Sequence, residues 1–90
     1  MELKNFLRTI GDKAIFERDK VTVTYGENKI ITGTLVPYEV IITWQGDINT
    51  SIIHPRENNP VISVKTKPDG IGPDDGTPIS IESIISIEKV

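Results

Sequence analysis

Apolar and polar positions alternate from Lys20 onward. Val21, Val23 and Tyr25 are separated by threonines, the period-two pattern of a strand with one buried face. Gly26, Glu27 and Asn28 supply a turn. Residues 29–36 read as a second strand, interrupted by Gly33, where a missing Cβ permits a bulge or sharp bend. Pro37 separates it from a third strand, with Tyr38, Val40, Ile42 and Trp44 on one face. Gln45-Gly46-Asp47 ends that strand, and residues 50–53 allow a short extension. Residues 61–66 predict a fourth strand, with Val61, Ser63 and Lys65 on one face and Ile62, Val64 and Thr66 on the other. Residues 67–78 hold Asp, Gly and Pro without periodicity and predict a long solvated loop. Ile79 and Ile81 then alternate, Glu82-Ser83 breaks the run, and Ile84, Ile85 and Ile87 resume it. That break predicts a 3₁₀ turn or kink between two short strands.

Residues 2–10 carry the other period. Leu3, Phe6, Leu7 and Ile10 fall at i, i+3, i+4 and i+7, one helical stripe. Glu2 in the first turn and Arg8 near the last match the helix dipole, and Gly11 is placed to end the helix. The stripe either packs on the sheet or meets a partner. Residues 12–19 are ambiguous, since Ala14, Ile15 and Phe16 suit a short strand or a helical turn.

Composition narrows the class. Ninety residues make one domain, and such a chain buries only about 60–65% of its unfolded surface. Without cysteine, neither a disulfide nor a thiolate metal site supplements the core. Its apolar residues are mostly β-branched aliphatics, suited to a pleated surface. A net charge of −3 offers phosphate no general attraction. No apolar run approaches the roughly 20 residues that span a bilayer. The first residues lack the features of a signal peptide, so a cytoplasmic location is expected, without membrane contact.

Candidate chemistry is sparse. His54, the single histidine, reads as a solvated loop residue and has no evident orienting partner for base catalysis. Asp69, Asp74 and Asp75 cluster with glycines, but Ile71 and Pro73 interrupt the acid spacing of a calcium loop. Gly70-Ile71-Gly72-Pro73 lacks the ending of a phosphate loop. No catalytic residue, metal site or cofactor is therefore expected. Tyr25, Tyr38 and Trp44 suit either a core or the stacking of single-stranded bases.

The opening strands resemble the first motif of Sm-like proteins, small barrels that assemble into RNA-binding rings. The matching residues are Val21, Val23, Tyr25, Ile31, Gly33, Leu35, Tyr38 and Glu39. Ile79, Ile84 and Ile87 look like the second motif, and the N-terminal helix sits where that family carries one. Glu39 and Thr43 align with the family's base-contacting Asp and Asn, while Ser80-Ile81 replaces its basic pair. The resemblance implies a mainly β fold: a helix, then a strongly bent five-stranded antiparallel SH3-like barrel. It also implies a non-enzymatic binding module, contacting RNA or single-stranded nucleic acid through Tyr38, Glu39 and Thr43. The competing expectation is a protein-interaction or structural module. A homo-oligomeric ring would join two strand edges, carrying Val61 and Val64 on one and Ile84, Ile85 and Ile87 on the other.

Overall fold

The computed structural model describes residues 1–36, 52–56, 59–66 and 76–90. The third expected strand, with Tyr38 and Trp44, lies outside them. The helix, α1, spans Leu3–Asp12. Among the described residues six strands follow: β1 Lys20–Tyr25, β2 Lys29–Leu35, β3 His54–Arg56, β4 Asn59–Lys65, β5 Thr77–Ser80 and β6 Ile84–Lys89. All the strand pairings are antiparallel. The fold is mainly β, with five strands in the path β3-β4-β2-β1-β6 and β5 against β4.

The stripe on α1 is its packing face. Phe6 and Ile10 are fully buried, while Leu3 and Leu7 pack against the same core from partly buried positions. Gly11 does not end the helix. Ala14 takes the left-handed conformation at φ 53°. Its N–H donates to Gly11 O at 3.2 Å, and Ile15 N–H donates to Ile10 O at 2.9 Å. These two bonds form a Schellman motif, closed by the apolar contact it favours: Ile10 and Ile15 are both fully buried. The helix therefore runs past Gly11, and Arg8 is not in its last turn. A Cβ is costly at positive φ, so Ala14→Gly is expected to stabilise the protein by roughly 0.5–1 kcal/mol. A urea midpoint below that of the wild type would refute this.

The segment after the helix is neither strand nor helical turn. Phe16 N–H donates to Asp19 Oδ2 at 2.7 Å, and Asp19 N–H returns to Phe16 O at 3.1 Å. Arg18 N–H then meets Leu35 O, and Leu35 N–H meets Asp19 O, both at 2.9 Å. These bonds continue the β1–β2 hairpin beyond Lys20. The hairpin turns through Gly26 and Asn28, both at positive φ. Its register is continuous from Lys20↔Thr34 to Tyr25↔Lys29, so Gly33 is not a bulge. Glycine is required there because a strand crosses it. A Cβ on Gly33 would lie 2.2 Å from Lys65 O and 3.0 Å from Val64 Cγ1. The register shift in this part of the sheet lies between β1 and β6, where Thr24 faces Ser86 and Tyr25 faces Ile84. Ile85 is left unpaired as the bulged residue.

The break at Glu82-Ser83 is a 3₁₀ turn over Ile81–Ser83 that joins β5 to β6. Ser83 Oγ donates to Ser80 O at 2.7 Å, and Gly26 N–H donates to Ser83 O at 2.9 Å. The ladder β5-β4-β2-β1-β6 thus has its two ends connected by one three-residue turn, which curls the sheet around its aliphatic core. That core includes Val21, Val23, Leu35, Ile62, Val64, Ile79, Ile81, Ile84 and Ile87. Thr77 and Pro78 already belong to β5, so the expected loop over 67–78 does not extend that far. Proline is tolerated there because, among the described residues, β5 pairs on one flank only.

Candidate functional site

Tyr38, Glu39 and Thr43 lie outside the described residues, as do Asp69, Asp74 and Asp75. His54 does not sit in a loop: it opens β3, opposite Val61. Among the described residues, no group of three His, Asp or Glu side chains could hold a metal ion. No described helix is long and apolar enough to cross a membrane.

The expected edge over residues 61–66 is an interior strand instead. Val61 faces His54 on one flank and Ser80 on the other, and Val64 faces Leu35 and Thr77. Both flanks of β4 are therefore occupied where Val61 and Val64 sit. Burial agrees, since residues 61–65 are buried without alternation. A strand covered on both faces loses the period-two signal.

At the other end of the ladder path, β6 pairs only with β1 among the described residues. Ile84 and Ile87 are core residues, whereas Ile85 is 55% exposed at the bulge. The outer flank of β6 is nevertheless engaged. Val90 N–H donates to Lys20 O, which sets the alternation and turns the carbonyl of Ile87 away from β1. Lys13 Nζ donates to that carbonyl at 2.9 Å and also pairs with the Glu88 carboxylate. The Met1 ammonium donates to Glu82 O at 2.8 Å and Ile84 O at 2.9 Å. Residues flanking α1 thus occupy two outward carbonyls of β6, those of Ile84 and Ile87, that a neighbouring strand would use.

Between the start of α1 and the 3₁₀ turn lies an open cavity of about 420 Å³, lined by Met1, Glu2, Leu3, Pro60, Ile81 and Glu82. Among the described residues its polar lining is Glu2, Glu82 and Met1, whose ammonium is already bonded to Glu82 O and Ile84 O.

The least expected residue is Lys65. A lysine near a strand end ordinarily reaches solvent, yet this one is only 7% exposed. Its Nζ is buried without a hydrogen-bond partner among the described residues, and so is Ser63 Oγ. The two residues are separated by one position and share a face of β4. That face is opposite Ile62 and Val64, which belong to the main core. Gly76 lies directly on Ser63, since a Cβ there would come within 2.0 Å of Ser63 Oγ and 3.2 Å of Val36 Cγ2. An unpaired buried ammonium costs several kcal/mol and an unpaired hydroxyl about 1–3. A cationic donor and a neutral donor on one strand face are together suited to an oxygen-bearing anion.

Comparison with protein-family models, curated proteins and solved structures gives no match to this chain.

Proposed function

We propose that this chain is a non-enzymatic binding module of the small-barrel type that works as a single copy on a protein partner. The observation that carries this reading is the occupancy of the strand flanks. A ring of the Sm-like kind needs two open ladder edges per subunit. Here β4 is paired on both sides, and two outward carbonyls of β6, those of Ile84 and Ile87, bond to Met1 and Lys13. The acidic balance points the same way, because nucleic-acid affinity rests largely on basic groups at phosphates.

Sedimentation at micromolar concentration, joined to anisotropy with a random single-stranded RNA, tests the proposal. A monomer of 10.0 kDa without salt-sensitive RNA binding is expected. A closed oligomer that binds RNA more weakly as salt rises would overturn it. Tyr38, Glu39 and Thr43 would then be the first positions to substitute.

A further inference from the structure

We propose that Ser63 and Lys65 form the donor pair of an anion site on the face of β4 opposite Ile62 and Val64, taking a carboxylate or phosphate group. The inference does not depend on the identity of the protein partner. It rests on two polar side chains, each more than nine-tenths buried, whose polar atoms have no hydrogen-bond partner among the described residues. Their placement is not incidental to the fold. Lys65 faces Thr34 of β2 and Ser63 faces Pro78 of β5, so two ladders hold the backbone of the pair in place. The carbonyl of Lys65 is packed on Gly33, which restricts any outward shift of that residue. The ammonium is thus presented from a rigid strand, at a position where water does not reach it. A bound oxyanion would accept from Nζ and from Oγ and neutralise the buried charge. The Lys65 charge supplies most of the attraction and the Ser63 hydroxyl orients the ligand.

Thermal and urea unfolding of the full chain tests this, with inorganic phosphate or acetate compared against chloride at equal ionic strength. A ligand that binds only the folded state raises the melting temperature progressively with concentration. Wild-type protein is expected to show that rise with at least one of the two anions, and the responding anion identifies the ligand group. Lys65→Met should melt higher than the wild type in chloride, because an unpaired buried charge is removed, and should not respond to either anion. Lys65→Arg should retain the response. Ser63→Ala should fold and need several-fold more anion for the same shift, a readout that survives if the Lys65 variants fail to fold. Two results would overturn the proposal. One is a wild type indifferent to both anions. The other is a Lys65→Met protein that melts lower than the wild type in chloride, the signature of an ammonium already paired within the chain.

Discussion

Gly33→Ala is expected to lower stability by roughly 3 kcal/mol, the upper part of the range for overpacking. The added methyl would lie 2.2 Å from Lys65 O and 2.7 Å from Lys65 C, both backbone atoms that cannot rotate aside. Relief requires β2 and β4 to part at the place where Thr34 pairs with Lys65 and Leu35 with Val64. That junction, with the bond from Val36 N–H to Ser63 O at 3.0 Å, ties the hairpin to β4 among the described residues, so its loss loosens the sheet along one seam. Gly26 supplies the internal comparison. Its φ is 59°, but the nearest atom to an added Cβ is Lys29 Cδ at 4.0 Å. Gly26→Ala should therefore cost only the conformational strain, about 1 kcal/mol. Urea midpoints for the two variants measure the difference directly, provided that the slope of the transition is unchanged. Equal losses at both positions would show that space at Gly33 is not the reason for glycine.

Phe6→Ala is expected to cost about 3–5 kcal/mol, the usual range for truncating a fully buried aromatic. Stabilities of about 0.05–0.15 kcal/mol per residue make this a large share of the total for a chain of this length. Phe6 and Ile10 are the fully buried residues of α1, so the truncation removes one of its two main anchors. Loosening the helix has a second consequence. Met1 and Lys13, which flank α1, bond the carbonyls of Ile84 and Ile87 on β6. Release of those carbonyls opens a strand edge, and open edges associate. The variant should therefore show association that grows with protein concentration, read by sedimentation. Lys4→Ala, on the exposed side of the same helix, should change stability by no more than about 0.5 kcal/mol. A Phe6→Ala midpoint matching that of Lys4→Ala would mean that α1 is not fastened through its stripe.

Some of this architecture is written locally in the chain. The stripe Leu3, Phe6, Leu7 and Ile10 specifies a helix and its buried side, because residues three and four apart share a face. The alternation through Val21, Val23 and Tyr25, followed by Gly26 and Asn28, specifies a hairpin. The break at Glu82-Ser83 between isoleucine runs specifies the 3₁₀ turn. Each of these signals spans only a few residues, and each reflects forces acting over the same span.

Other features were decided by packing that the local pattern does not specify. Gly11 and Ala14 both lie near the helix end, and the burial of Ile15 against Ile10 selects Ala14 as the left-handed residue. Gly33 signals an unusual backbone environment, but crossing by Lys65 and bulging of the strand call for the same residue. Residues 61–65 read as a strand from their own pattern; that both flanks are filled depends on β2, β3 and β5. The expected loop gave way to β5 at Thr77 because pairing with Val64 outweighs a local sequence that favours turns. Lys65 is the clearest case. Its composition and position suggest a solvated side chain, and only packing around β4 places its ammonium out of water. Local propensity is set by neighbours along the chain, whereas strand partners, close backbone approaches and buried charge are set by distant segments that meet only in the folded protein.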